Sequence, residues 1–173
     1  GPSDKPHSTG GQSWTVLVYM AADNDLEPFA LQDLTEMMKV GSGTGLNIVV
    51  QVDRADGYTS DGIANLNNFT DAKRIIVKNG SLEVVQELGE INTADPATLA
   101  DFVTWGLKTY PADRTALVFW DHGGGWTGFG VDDSANHKLL NLTEIDTGVK
   151  NGIAGANGKP FTIIGFDACL MAT

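Results

Sequence analysis

Apolar residues along the chain alternate between short continuous runs and longer runs with helical spacing. Residues 14–20 form a β-branched and aromatic run without polar alternation, which predicts a strand that is covered on both faces. Apolar residues then recur at helical spacing over residues 26–38, until Gly41 stops the helix, and residues 46–53 form a second buried strand. Strand, helix and strand in this order predict a parallel sheet.

Two further strand-like runs break this alternation. Residues 72–78 and 81–88 are joined by Asn79 and Gly80, a dipeptide that accepts the positive φ angles of a type I′ turn. The pattern predicts a β-hairpin that lies off the main sheet.

The second half of the chain returns to alternating helices and strands. Asp95 can cap a helix that has proline at its first position, and Pro111 ends the apolar stripe of that helix. Residues 115–120 predict a third buried strand, which is followed by a glycine-rich loop. A helix is then expected from about Thr143, and a fourth strand over residues 161–166.

The composition fits one folded domain over residues 13–173. The chain has 173 residues, of which 42% are apolar and 19% charged, whereas residues 1–12 have almost nothing to bury and predict a flexible tail or an expression remnant. A net charge of -11 disfavours nucleic acids and anionic membrane surfaces as partners. We expect no membrane-spanning segment, because no apolar stretch approaches about 20 residues, and the N-terminus lacks the layout of a signal peptide.

Residues with catalytic potential follow two of the predicted strands. His122 follows the third strand and Cys169, the single cysteine, follows the fourth. In open parallel sheets, ligand sites lie beyond the carboxyl ends of the strands. His7 lies in the tail and His137 in a polar loop, so His122 is the natural partner of the thiol. An imidazole that takes the thiol proton makes a strong nucleophile, and the N–H groups of Gly123 and Cys169 could stabilise an oxyanion.

Each of these residues also has a structural interpretation. A single buried cysteine is commonly inert, and His122 taken alone is as readily structural as catalytic. Asp167 could bind a cationic substrate side chain, although its spacing alone favours a helix cap or bonds to backbone amides. Asp121 is more simply structural. The Asp-Asn-Asp run at residues 23–25 could ligate calcium, but helix capping is favoured because the twelve-residue spacing of a calcium loop is absent.

Three other motif interpretations fail on their context. Residues 123–128 match G-x-G-x-x-G, yet no helix follows to receive a pyrophosphate. Residues 122–125 look like the oxyanion loop of lipases, but the chain has no G-x-S-x-G motif. A phosphate-binding P-loop motif is also absent from the sequence.

Four segments closely resemble the clostripain family of cysteine peptidases. They are WTVLVYMAADNDLE at 14–27, YPAD at 110–113, FWDHGGGW at 119–126 and GFDACLM at 165–171. This family shares its fold with caspases, legumains and gingipains. The resemblance therefore implies a caspase-like, three-layer α/β/α sandwich with a mainly parallel central sheet and an extra β-hairpin.

The resemblance also implies an activity and roles for individual residues. His122 would be the catalytic base and Cys169 the nucleophile, with Gly123 in the oxyanion hole. The family cleaves peptide bonds after Arg or Lys, and Asp167 matches a residue of its acidic specificity pocket. No organic cofactor or metal is required, although calcium stimulates some members.

Self-cleavage between the catalytic histidine and cysteine commonly activates members of this family. The basic candidates in that interval are Lys138, Lys150 and Lys159. We favour Lys138, because it lies in a polar stretch and the other two flank predicted elements. The resemblance further implies a secreted or envelope-anchored bacterial enzyme.

The position of Cys169 near the end of the chain leads to two further expectations. Because Thr173 lies only four residues beyond it, we expect the N-terminal part of the caspase-like fold only. The C-terminal remainder of the peptidase would come from a second polypeptide or a missing segment, or else the fourth strand would present an open apolar edge. The alternative function is a non-catalytic binding or adhesion domain that recognises basic peptides through its acidic surface.

Overall fold

A computed structural model describes residues 12–22, 27–54, 62–120, 129–132 and 138–167. Within these ranges the secondary structure comprises β1 (Trp14–Ala22), α1 (Glu27–Val40), β2 (Leu46–Arg54), β3 (Ala72–Lys78), β4 (Ser81–Gly89), α2 (Pro96–Thr109), β5 (Arg114–Trp120), β6 (Phe129–Asp132), β7 (Lys138–Leu140), α3 (Leu142–Gly155) and β8 (Ile163–Asp167). The strands and helices expected from the hydrophobic pattern are therefore confirmed. The ribbon of β6 and β7 was not expected.

Six strands form one sheet in the order β4-β3-β2-β1-β5-β8. The four strands β2, β1, β5 and β8 run parallel, and β1 lies at their centre with Val16 opposite both Ile48 and Ala116. Because both faces of β1 are covered, its sequence is a continuous apolar run without alternation. This mainly parallel sheet has the caspase-like architecture.

The predicted position of the hairpin is wrong. β3 and β4 do not lie off the main sheet, because β3 pairs antiparallel with β2 from Val49 opposite Ile76 to Asp53 opposite Ala72. Ile75 and Val77 are fully buried in the same core as the parallel strands. The physical reason is that β2 would otherwise expose an unpaired edge, which the hairpin covers.

The hairpin turn also differs from the expected type. Gly80 has a φ of 76°, but Asn79 is not among the described non-glycine residues with positive φ, so the turn is not type I′. The Gly80 N–H donates to the carbonyl of Met38 at 3.0 Å, and a Cβ on Gly41 would lie 2.3 Å from the Asn79 nitrogen. Close packing against the end of α1 therefore selects this turn.

The helices cover the two faces of the sheet unequally. α1 packs on one face, with a core that includes Val18, Met20, Ala30, Leu34, Val50, Val52, Ile75 and Trp120. α2 and α3 pack on the other face, with a core that includes Leu17, Tyr19, Leu99, Phe102, Leu117, Phe119, Ile145 and Val149. Alternate residues of β1 and β5 thus point into two separate cores, which makes the three-layer sandwich.

Local hydrogen bonds explain where the predicted helices begin. Asp95 caps α2 by accepting from the Ala97 N–H at 2.9 Å. Asn141 and Glu144 form a capping box at the start of α3, which begins within one residue of the expected position.

Small residues allow α3 to approach α2 closely. A Cβ on Gly148 would lie 2.9 Å from the Leu99 side chain, and one on Gly152 would lie 2.5 Å from the Cβ of Val103. The Thr104 hydroxyl also donates to the carbonyl of Gly152 at 2.8 Å. The absence of a side chain at these glycines therefore sets the distance between the helices.

The Gly152→Val variant is expected to lower the free energy of unfolding by about 1–3 kcal/mol, because the new side chain overlaps Val103. Urea unfolding of the full-length protein measures this loss. Gly43→Ala is the matched control, since a Cβ there has open space, and it should change the stability by less than about 0.5 kcal/mol. Equal stability of the two variants would contradict the close approach of α2 and α3.

Candidate active site

Two neighbouring strands carry the segments that lead to the predicted catalytic residues. β5 and β8 pair in parallel, with Trp120 opposite Asp167 at their carboxyl ends. His122 lies two residues beyond Trp120, and Cys169 lies two residues beyond Asp167. His122, Gly123 and Cys169 themselves lie outside the described residues. The structure thus brings together the strand ends that precede these residues, at one edge of the sheet.

Asp167 is the one predicted site residue whose side chain is described. It is exposed at the end of β8 and shares a sheet face with Trp120, because paired residues of neighbouring strands present their side chains on the same side. Both line a groove of about 310 Å³ beside α1. The lining residues are Val16, Val18, Met37, Leu46, Ile48, Val118, Trp120 and Asp167. Asp167 is the single charged residue among them.

Trp120 connects this strand end to α1. Its side chain is only 3% exposed, and its indole N–H donates a hydrogen bond to the carboxylate of Asp33. Burial raises the pKa of Asp33, the hydrogen bond from Trp120 opposes this change, and the negative charges of Asp167 and Glu36 raise the pKa further. Through Trp120, Asp33 of α1 is therefore connected to the paired strand ends of β5 and β8.

Sequence reasoning missed Asp33. Its position in α1 gives no sign that the side chain contacts the sheet, because its hydrogen-bond partner Trp120 is 87 positions away in the chain. A weak signal was present, since an acidic residue that lies on a helix face with Phe29 and Met37 needs a polar partner when it is partly buried.

The lysines considered for self-cleavage lie in different surroundings. Lys138 is the first residue of β7, where it pairs with Asp132, and residues 133–137 lie outside the described part of the chain. Lys150 lies within α3 and forms a 2.8 Å ion pair with Asp146. Lys159 lies between α3 and β8. Lys150 therefore lies inside a helix, whereas the sequence suggested that it flanks one.

The described residues give no support to a calcium site. Within those ranges, no three or more His, Cys, Asp or Glu side chains converge in a way that could hold a metal ion. The acidic run at residues 23–25 lies outside them.

No helix in the described part of the chain is both long enough and apolar enough to span a membrane.

Comparison with known proteins identifies relatives among cysteine proteases. Clostripain from Hathewaya histolytica is 27% identical over 198 residues, which cover 99% of this chain and 36% of that protein. A secreted C11 cysteine protease from Bacteroides thetaiotaomicron, solved with an irreversible peptide inhibitor, is 28% identical with a TM-score of 0.69. That match covers 91% of this chain and 42% of the other. A cysteine protease from B. fragilis is 30% identical with a TM-score of 0.53, over 66% of this chain and 92% of the other.

The chain thus spans less than half the length of clostripain and of the B. thetaiotaomicron protease. The sequence profile of the clostripain family matches residues 18–173, which include every element described above except the first four residues of β1. This match extends over most of the chain and includes the segments around both paired strand ends. The chain therefore belongs to the clostripain family.

Proposed function

We propose that this chain is part of a cysteine endopeptidase that hydrolyses peptide bonds after Arg or Lys through Cys169 and His122. The observation that carries the proposal is the pairing of Trp120 with Asp167, because the two predicted catalytic residues follow these paired positions at the same spacing. Membership of a family that includes cysteine proteases supports the reaction class.

In the proposed mechanism, the His122 imidazole accepts the proton of the Cys169 thiol. The thiolate attacks the carbonyl carbon of the scissile peptide bond, and the carbonyl oxygen becomes an oxyanion that accepts hydrogen bonds from the N–H groups of Gly123 and Cys169. His122 then donates its proton to the leaving amine as the C–N bond breaks. Water deprotonated by His122 attacks the thioester and releases the carboxylic acid and the thiol.

The placement of Asp167 supports a preference for basic residues. Its exposed carboxylate lies two residues before the proposed nucleophile and carries the single charge among the residues that line the groove beside α1. A carboxylate at this position can accept a charge-assisted hydrogen bond from an Arg or Lys side chain. We propose that this contact selects the residue that precedes the scissile bond.

The Asp167→Asn variant tests this specificity. We expect kcat/KM for a peptide ending in Arg to fall by about tenfold to a hundredfold, which corresponds to the loss of a hydrogen bond between charged groups. The matched peptide ending in citrulline has nearly the same shape without the charge, and its slow cleavage should be unaffected. An equal loss for both peptides would show that Asp167 does not recognise the charge.

We also propose that the enzyme activates itself by cleavage after Lys138. β7 pairs with β6 in a two-stranded ribbon separate from the main sheet, and such ribbons are marginally stable by themselves. A short ribbon can therefore open to present an extended segment to a protease. Lys150 lacks this property because it lies inside α3.

Self-cleavage predicts a specific break between Lys138 and Leu139. Intact-mass analysis of the full-length protein after incubation should show the two corresponding fragments, and the Lys138→Gln variant should stay intact at this bond. Lys150→Gln is the matched control and should be processed normally. Nicking of the Cys169→Ala protein at the wild-type rate would contradict self-processing.

We further propose that the rest of the peptidase pairs with the β8 edge. Among the described strands, β8 is at the end of the sheet, and its side chains Ile163, Ile164 and Phe166 are 53%, 47% and 41% exposed. Apolar edges of this kind require a covering segment to avoid association.

We also propose that this enzyme is secreted, and the similarity to the secreted protease from B. thetaiotaomicron supports this proposal.

A further inference from the structure

Asp33 lies on α1, which carries none of the predicted catalytic residues. Its side chain nevertheless contacts Trp120, at the strand end that precedes His122. It is half-buried in α1 and accepts the indole hydrogen bond of Trp120, the last residue of β5. The backbone of Trp120 is itself paired on both sides, with Met20 of β1 and Asp167 of β8. One side-chain hydrogen bond thus joins α1 to Trp120, whose strand β5 lies between β1 and β8.

This bond has a consequence for the segment that follows β5. His122 lies only two residues beyond Trp120 in the sequence, so this bond holds the last described residue before the proposed catalytic base. The indole ring is almost fully buried against α1, and Asp33 supplies the acceptor that a buried indole N–H requires. Loss of that acceptor would favour a rotation of the ring and a shift of the strand end.

The charge of Asp33 has a separate consequence. Asp33 accepts from the Trp120 side chain, Trp120 is paired with Asp167 on the same face of the sheet, and the negative charge of Asp167 contributes to the raised pKa of Asp33. A cation held at Asp167 would therefore also be attracted by Asp33. Trp120 lines the same groove as Asp167 and donates to Asp33, so it connects α1 to the paired strand ends of β5 and β8.

We propose that Asp33 is a positioning residue of the peptidase, which anchors Trp120 next to the segment that carries His122 and adds its negative charge to that of Asp167. The proposal rests on the proposed function, because it assigns Asp33 a role in cleavage after Arg or Lys. The proposal has two parts, the hydrogen bond that Asp33 accepts from Trp120 and the negative charge that Asp33 carries. Two substitutions of Asp33 distinguish these parts.

The Asp33→Asn variant keeps an oxygen acceptor for Trp120 but removes the charge. We expect KM for an Arg peptide to rise by about threefold to tenfold, as expected for the loss of one nearby carboxylate, while kcat is retained. Values for the matched citrulline peptide should not change. The Asp33→Ala variant removes the acceptor as well, so kcat should also fall, by about tenfold or more for a misplaced catalytic group.

Asp146→Asn is the matched control, because this exposed carboxylate lies on α3, which packs on the opposite face of the sheet. It should leave all constants unchanged. The indole N–H resonance of Trp120, assigned by NMR through the Trp120→Phe variant, reports the contact independently of activity. We expect this resonance to move strongly in Asp33→Ala, to a smaller extent in Asp33→Asn, and not in Asp146→Asn.

These measurements distinguish failure of the role proposed for Asp33 from failure of the proposed function. An unchanged ratio of Arg to citrulline cleavage in Asp33→Asn, or a wild-type kcat in Asp33→Ala, would overturn the proposal while Asp167 and Cys169 kept their roles. An unchanged chemical shift of the Trp120 indole N–H in Asp33→Ala would overturn the proposal independently of any activity measurement. Absence of Cys169-dependent turnover in the wild-type protein would instead overturn the proposed function, and this inference with it.

Discussion

The Cys169→Ala variant is expected to lose at least about 10⁴-fold in kcat on a peptide ending in Arg, because no other group in the proposed site can form the acyl-enzyme. The assay follows product release by the full-length protein and records the initial burst and the steady-state rate separately. The burst should vanish together with turnover, since the burst reports acylation of the thiol.

The His122→Ala variant should lose a similar factor, and the double variant should be no slower than either single one, because the two residues act as a unit. His137→Ala is the matched control and should keep wild-type rates. The rate of Cys169 alkylation gives a second readout. It should be fast in the wild type and slow in His122→Ala, whereas ordinary slow alkylation of the wild-type thiol would favour a non-catalytic binding domain.

The Arg74→Ala variant is expected to lower the free energy of unfolding by about 3–4 kcal/mol, because Arg74 is a buried charge with several partners. The side chain is only 3% exposed. It donates to Gln51 at 2.9 Å, to Gln86 at 2.8 Å and to Asp101 at 2.6 Å, and its guanidinium lies 4.6 Å from the centre of the Trp105 ring. The substitution removes all of these contacts and leaves the Gln51 oxygen without this donor.

Two further variants identify the cause of the Arg74 effect. Arg74→Lys keeps the charge but loses the planar group that reaches three acceptors and stacks on Trp105, so it should recover less than half of the loss. Arg114→Ala is the matched control, since this exposed arginine lies at the start of β5 and should cost less than about 1 kcal/mol. Urea unfolding in the Cys169→Ala background avoids self-cleavage, and equal stability of Arg74→Ala and Arg114→Ala would contradict the structural role.

The parallel core was predictable from the sequence because its strands are continuous apolar runs. β1, β2 and β5 are covered on both faces, so burial rather than alternation shapes their sequences. The start of α2 followed from the capping chemistry of Asp95, which is local in the chain. Such features depend on neighbours within a few residues.

The errors arose where distant contacts decide the structure. The location of the hairpin depends on the free edge of β2, which lies about 20 residues away in sequence from β3. The turn type depends on the packing of Gly41 against Asn79. Asp33 was missed for the same reason, since its contact with Trp120 joins residues 87 positions apart.

The candidate site was predictable only as far as its topology. The sequence places His122 and Cys169 after two strands, and the structure confirms that these strands are parallel neighbours. The roles of both residues, of Gly123 in the oxyanion hole and of Asp167 in specificity stay predictions. They depend on side-chain geometry beyond the strand ends, which neither periodicity nor strand pairing determines.

The most direct test of the account is the hydrolysis of four matched fluorogenic peptides that end in Arg, Lys, Asp or Leu. The full-length protein and its Cys169→Ala variant are compared, before and after processing, with and without added calcium. We predict cleavage of the Arg or Lys peptides only, and its complete loss in the variant. Turnover that is independent of Cys169, turnover without preference for a basic residue, or no turnover under any of these conditions would contradict the account.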